Sequence, residues 1–287
     1  MLNKFFDISD LTETQLKNII YDDIPKITLE NKNIGMLYEK PSTRTRLSFV
    51  VAVNELKGKG IEIKFEELNF SRQESLEDTF RAFGCYIDGL IYRTNSHEKL
   101  KIAHDLMQKP VINALSEKSH PCQTLADLLT LYEKFKRLEL NISWFGDLNN
   151  VLFSLIEASN LLKELKLNIF SHSEITKNFE YYFGENVKIF NKIDKSVISK
   201  SDCIMTDVFL SMNDKHEEEK NNLLKNFQVN KQIMDLTKES CVFMHCLPAK
   251  VGHEVTKDVI ESAKSIVWTQ AYNRLPAQKR LMQCINW

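Results

Sequence analysis

"NIGMLYEKPSTRTRLSFVVAVNELKG" (residues 33–58) contains the repeating unit of the fold. Residues 33–38 are a short apolar run of strand length. Phe49, Ala52, Val53 and Leu56 then recur at helical spacing, and Gly58 is the expected stop. "STRTR" (42–46) therefore lies at a helix N-terminus, with Ser42 the expected N-cap. The first turn of a helix leaves N–H groups free and carries roughly half a positive charge, which favours anions, phosphate above all. Serine and threonine hydroxyls add donors, and an arginine adds a fork that grips two phosphate oxygens. Two cations at a helix N-terminus are unfavourable unless a ligand offsets them. Taken alone, these five residues fit a capped helix with outward arginines equally well.

The same alternation continues along the chain. Apolar runs at 89–94, 111–115, 142–147, 167–172, 187–190, 203–208, 241–248 and 265–270 each have strand length. Segments with helical spacing lie between them, such as Leu125, Leu128, Leu129 and Tyr132. Strands alternating with helices predict an α/β fold of two doubly wound domains with parallel sheets. A length of 287 residues agrees with two domains. The predicted division is 1–135 and 136–272, with a C-terminal helix in 273–287 packing back on the first domain.

Composition narrows the function. A net charge of −1 argues against a general nucleic-acid binder. No apolar run approaches the roughly 20 residues that span a bilayer. The N-terminal stretch lacks a signal-peptide pattern, and Thr12 with Gln15 reads as a capping box. Cysteines 85, 122, 203, 241, 246 and 284 form no Cys-x-x-Cys pair, so reduced thiols and a cytoplasmic setting are expected. "NDKHEEEKNNLLKN" (213–226) reads as a solvated loop and helix start.

Polar residues collect where strands are predicted to end: Arg93, His120, Gln123, Asn150, Asp207, Ser211, His245, Cys246 and Arg274. In parallel sheets ligands bind at those ends, so a site in the cleft between the domains is expected. In "SHPCQ" (119–123), Pro121 suits the first helical position, and His120 and Gln123 are expected to face one way. Alone, His120 reads more readily as a cap. Cys246 in "HCLP" reads as nucleophile, polar contact or packing. His245 and Cys246 are expected to point apart, and no pair has zinc-like spacing, so no metal is predicted. "FGDLNN" lacks the Gly-x-Gly-x-x-Gly pattern, which disfavours NAD, and no Walker loop occurs, so any phosphate bound here is held by another architecture.

Taken together the motifs are far more specific. "STRTR", "ESLEDTFR" (74–81), "HPCQ", "WFGDLNN" (144–150), "DVFLSMN" (207–213), "HCLPA" (245–249) and "NRLPAQK" (273–279) occur in one order. Nearly end to end, the chain resembles the ornithine carbamoyltransferases. That resemblance implies transfer of a carbamoyl group from carbamoyl phosphate to the δ-amine of L-ornithine, giving citrulline and phosphate. It implies a carbamoyl phosphate-binding first domain, an ornithine-binding second domain, a homotrimer, and no cofactor. Ser42, Thr43, Arg44 and Thr45 would cradle the phosphate, and Arg93 would bind phosphate and carbonyl oxygen. His120 and Gln123 would hold the carbamoyl group, and Arg274 would add positive charge. Asn150, Asp207, Ser211 and Met212 would bind ornithine, with Cys246 and the Leu247 backbone beside its amine. Arg93, His120, Asp207 and Cys246 would be the catalytic set.

Some positions depart from the family pattern. Asn213 stands where glycine usually follows Ser-Met, and Asn69 where a glutamine usually reaches from the neighbouring subunit to carbamoyl phosphate. Tyr272 replaces a common glutamate, and Lys250 and His253 are local variants. Rival readings are a carbamoyltransferase for putrescine, N-acylornithine or aspartate, and a ligand-binding member without catalysis. Asp207 and the Ser-Met loop favour free ornithine. Arg44 and Arg46 stand about 200° apart around a helix, which puts Arg44 on phosphate and turns Arg46 away into a structural role.

Overall fold

The computed structural model describes residues 1–68, 74–177, 184–210 and 217–287. Asn69, Ser211, Met212 and Asn213 lie outside the described residues. The chain divides into two compact units, Met1–Leu129 with Asn273–Trp287, and Thr130–Tyr272.

The first unit carries strands β1 (Lys4–Phe5), β2 (Asn33–Tyr38), β3 (Lys59–Lys64), β4 (Gly89–Arg93) and β5 (Val111–Leu115). Its helices are α1 (Glu13–Tyr21), α2 (Thr43–Glu55), α3 (Leu76–Tyr86) and α4 (Glu98–Met107), and α5 (Pro121–Phe135) begins in it. All five strands pair in parallel in the order β1-β5-β4-β2-β3. Successive crossovers run one way from β2 to β3 and the other way to β4 and β5. The winding therefore reverses between β2 and β4, where Tyr38 pairs with Arg93. Such a reversal opens a crevice at the carboxyl ends of the strands. Buried Leu37, Leu90, Tyr92 and Val111 pack against Phe80 and Leu100 from the helices.

The second unit carries β6 (Asn141–Phe145), β7 (Lys166–Phe170), β8 (Val187–Phe190), β9 (Cys203–Thr206) and β10 (Val242–His245). Its helices are α6 (Asn150–Leu161), α7 (Ser173–Thr176), α8 (Lys195–Ile198), α9 (Glu217–Leu224), α10 (Lys231–Asp235), α11 (Lys257–Ile260) and α12 (Val267–Tyr272). The sheet is again parallel, in the order β10-β9-β6-β7-β8. Here the winding reverses between β6 and β9. Phe145, Phe170, Ile204 and Phe243 form its core with Phe209 and Val267. Helix α13 (Arg274–Gln283) then belongs to the first unit. There Lys279 pairs with Glu55 of α2, and Arg280 donates to the Ile19 and Ile20 carbonyls of α1.

Three local expectations need correction. The run at 265–270 is no strand: Ser265 makes one bridge to Phe243, and Val267–Tyr272 is helical. Val267 and Gln270 are buried while Trp268 is exposed, a spacing of three that suits a helix. Strand β3, "KGIEIK", is absent from the predicted strands, because an edge strand with charged, exposed residues carries little apolar signal. Helix α2 ends in a Schellman arrangement in which Lys57, not Gly58, takes the left-handed conformation (φ 65°). Gly58 is required for space instead, since a Cβ there would stand 2.9 Å from Leu29 Cβ.

Gly146 ends β6 with φ 112°, and a Cβ on it would fall 2.5 Å from the Phe209 ring. Gly146→Ala combines backbone strain with a clash and should cost about 1–3 kcal/mol. Urea unfolding followed by tryptophan fluorescence measures the loss.

Candidate active site

In the first unit the α2 N-terminus lies just past β2. Ser42 occupies the N-cap position with extended backbone, yet its side chain makes no capping hydrogen bond, and the first turn contains no acidic residue. The predicted cap is thus in place without performing the usual local role. Its neighbour Thr45 is buried, and its Oγ1 accepts from Arg274 Nη2 at 3.3 Å.

Arg274 ties three elements together. Nη1 donates to Gln123 Oε1 at 2.7 Å and lies 3.5 Å from His120 Nε2. Gln123 in turn donates from Nε2 to Asp127 Oδ1 at 2.8 Å. The Gln123 amide is therefore oriented at both ends, with its oxygen toward the guanidinium. Asp127 is absent from the predicted site. The signal for it was its position four residues after Gln123, on the same face of α5.

Arg93 closes β4 and is buried. Burial, then Arg274 and Arg44, press against its charge and lower its pKa. Its Nε is buried with no hydrogen-bond partner among the described residues. Among those residues neither Arg44 nor Arg93 has an ion-pair partner. Arg46 differs: its Nε donates to Glu62 Oε2 at 2.5 Å, and its side chain is half exposed. Arg46 also lines a cavity of about 370 Å³ with Tyr38, Pro41, Ser42 and Thr43. The two arginines thus differ in pairing: Arg46 is held by Glu62, and Arg44 has no ion-pair partner among the described residues.

Arg93 and Arg44, without ion-pair partners among the described residues, create demand for an anion. Positive charge also acts on His120. Burial first, then Arg274 and Arg93, push its pKa well below 6.5. A neutral imidazole can donate to a polarised carbonyl oxygen without adding charge. Cys122, one residue beyond Pro121, is fully buried, and its thiol is pushed up to about 12, chiefly by burial. It is packing rather than nucleophile.

The second unit gathers a different set. Asp207 follows β9 at the winding reversal and is buried. Asn149 Nδ2 donates to its Oδ2 at 2.7 Å, and the Cys246 thiol lies 2.8 Å from its Oδ1. Asn149 Oδ1 also caps α6, accepting from Val151 and Leu152 N–H at 3.1 Å each. Sequence reading selected Asn150, which is the first residue of α6 and half-buried. The residue that engages Asp207 is its neighbour. The "NN" pair leaves that choice to cap geometry, which is set only once β6 is placed.

His245 and Cys246 do not point apart. Strand β10 ends at His245, Leu247 turns the chain with φ 56°, and the ligand atoms of Asp207, His245 and Cys246 fall within 4.8 Å of one another. Both His245 nitrogens are engaged. Nδ1 accepts from Leu247 N–H at 2.9 Å, which leaves Nε2 to donate to Glu254 Oε1 at 3.2 Å. The imidazole thus serves as a buried brace for the Cys246–Leu247 turn.

Residues 2–133 match the family described as aspartate/ornithine carbamoyltransferase, carbamoyl-P binding domain, and residues 138–285 match its Asp/Orn binding domain. The chain belongs to the aspartate/ornithine carbamoyltransferase family. It is similar to the ornithine carbamoyltransferase of Bradyrhizobium diazoefficiens, at 37% identity over 97% of this chain and 95% of that protein. It is equally similar to the one from Thermococcus kodakarensis, at 37% identity over 97% and 94%. Among solved structures, ornithine carbamoyltransferase from Pyrococcus furiosus superposes with a TM-score of 0.85 at 34% identity, covering 99% of this chain and 96% of that one. The anabolic ornithine carbamoyltransferase from Campylobacter jejuni gives 0.85 at 29% identity, covering 98% of each. The two parallel sheets are thus the family's architecture.

The state of His120 sets a pH dependence for this family member. The folded protein keeps His120 neutral, whereas the unfolded chain takes up a proton below about pH 6.5. Its stabilising contribution is present above that pH and declines as pH falls, because the unfolded state then binds the extra proton. Melting temperatures across a pH series from about 8 to 5 should fall more steeply below about 6.5 for the wild type than for His120→Gln.

Proposed function

We infer that the protein transfers the carbamoyl group of carbamoyl phosphate to the δ-amine of L-ornithine, giving L-citrulline and phosphate. The observation that carries this reading is the buried Arg93, next to Arg44 and Arg274, with no ion-pair partner of its own among the described residues. Carbamoyl phosphate supplies the missing anion. In this reading its phosphate meets the α2 N-terminus at Ser42, Thr43 and Thr45, with Arg44 and Arg93 neutralising its charge.

The carbamoyl oxygen becomes an oxyanion as the amine attacks, and Thr45, Arg93 and His120 are the donors proposed to meet it. Gln123, already oriented by Asp127 and Arg274, holds the carbamoyl amide. Asn69 is the family-derived contact for carbamoyl phosphate that lies outside the described residues. In the second unit Asp207 supplies the anionic group for an alkyl ammonium, with Cys246 and the Leu247 backbone beside it. Asn150, Ser211 and Met212 complete the proposed ornithine set, the last two lying outside the described residues. The ammonium must lose a proton before it can attack.

The buried carboxylate of Asp207 suits an amine-bearing acceptor and would repel aspartate. A citrulline assay with ornithine, putrescine, N-acetylornithine and aspartate as acceptors tests the assignment. Ornithine should turn over fastest, and faster turnover of another acceptor would reject it. A homotrimer is part of the same proposal. Exposed Leu47 and Val51 on α2 and Ile61 on edge strand β3 are apolar groups for subunits to cover. Light scattering at three times the chain mass is the expected result. The six free cysteines support a cytoplasmic setting.

The arginine assignment makes a further expectation. Arg44→Ala should lower kcat/KM for carbamoyl phosphate by about 10²–10³, equivalent to about 2.7–4 kcal/mol. Arg46→Ala removes a half-exposed pair and should cost under about tenfold. Steady-state kinetics at saturating ornithine separates them.

A further inference from the structure

His120 is the last residue of the loop that joins β5 to α5, and its position depends on how that loop is held. Ser116 and Ser119 close the loop on itself. Ser116 N–H donates to the Ser119 carbonyl at 2.9 Å, and Ser119 N–H donates to Ser116 Oγ at 3.2 Å. Asn113, fully buried, donates to the Phe6 carbonyl at 2.8 Å and to Ser119 Oγ at 3.0 Å.

The side chains of His97 and Asp7 also reach this loop from outside it. His97 lies at the start of α4, with Nδ1 2.8 Å from Ser116 Oγ and Nε2 3.2 Å from Asp7 Oδ2. Its backbone N–H also donates to Glu117 Oε1 at 2.9 Å. Lys118 Nζ meets the same Asp7 oxygen at 3.0 Å. Burial opposes the Asp7 charge, but hydrogen bonds from His97 and Lys118 help hold its carboxyl well below the usual range. With Asp7 accepting from Nε2–H, Nδ1 is left to accept the Ser116 hydroxyl proton. The Ser116 lone pairs are then free for Ser119 N–H and Asn113.

Carboxylate, imidazole and hydroxyl in line is the order seen at serine nucleophiles. Here Ser116 is fully buried, so no substrate reaches it. We propose that His97, braced by Asp7 and acting through Ser116, is a positioning residue that sets the place of His120. This rests on the carbamoyl-transfer reading for its kinetic consequence, but not for its structural one. His120 must present a donor where the oxyanion forms, and displacement of such a group by about 1 Å costs up to about a hundredfold. His97 itself touches no substrate in this scheme.

The test uses the full chain with His97→Ala and His97→Asn. Asparagine keeps an acceptor at the Nδ1 position, facing Ser116, while giving up the link to Asp7. His97→Ala should lower kcat, and with it kcat/KM for carbamoyl phosphate, about tenfold or more and leave the ornithine KM unchanged, with His97→Asn recovering most of the loss. The side-chain ¹⁵N resonances of His120 should move in the alanine variant and return toward wild type in the asparagine variant. Ser116→Ala removes only the hydroxyl and should reproduce the alanine pattern, so it replaces His97→Ala if that variant does not fold. Unmoved His120 resonances, or equal behaviour of the alanine and asparagine variants, would overturn the proposal. Wild-type protein that makes no citrulline would reject the carbamoyl-transfer reading instead, and the resonance comparison would still decide the role of His97.

Discussion

Clustered positive charge is the constraint from which the first unit follows. Arg44, Arg93 and Arg274 come from a helix start, a strand end and a distant helix, and Arg274 and Arg44 press against the charge of buried Arg93. Such an arrangement is unfavourable in an empty protein. It is tolerated because the surrounding sheet and helices over-determine each side chain. Arg274 is held by Gln123 and Thr45, and Gln123 by Asp127. In the proposed reading, stability given up at this point becomes affinity for a dianion, since the donors are already in place. The neutral state of His120 follows first from its burial and then from Arg274 and Arg93.

The second unit follows the opposite rule. Asp207 is one negative group, and the hydrogen-bonding partners named at its oxygens are an amide and a thiol. A carboxylate satisfied by uncharged donors keeps its charge available to a cationic ligand. Both sets sit where the winding of a parallel sheet reverses, between β2 and β4 and between β6 and β9. Topology thus supplies the two locations, and local sequence supplies the sign of each.

Much of this was legible in the chain. Buried parallel strands are nearly continuous apolar runs, so most strands could be read directly. Edge strand β3 could not, because its residues face water and carry charge. The run at 265–270 misled because its composition suits a strand while its burial has helical spacing. Of the proposed site, Thr45, Arg93, His120, Gln123, Asp207, Cys246 and Arg274 are the residues that motif order picks out. The partners that orient them were harder to see. Asp127 is marked only by its place four residues after Gln123 on one helix face, whereas Asn149, Asp7 and His97 act through contacts that exist only after distant elements pair, and no local spacing marks His97 as a neighbour of Ser116.

Arg274 also has a temporal meaning. It lies beyond the whole of the second unit in the sequence, yet its guanidinium completes the Thr45–Gln123 framework of the first. On the ribosome, everything through residue 129 emerges before the second unit is made. During that interval Arg93 and Arg44 have no third guanidinium beside them, Gln123 has no guanidinium to hold its oxygen, and α13 does not yet cover α1 and α2. The first unit is therefore a nascent chain whose Thr45–Gln123 framework is unfinished. Its final assembly waits for translation of a segment that the second unit separates from it, so synthesis of the second unit precedes completion of the first.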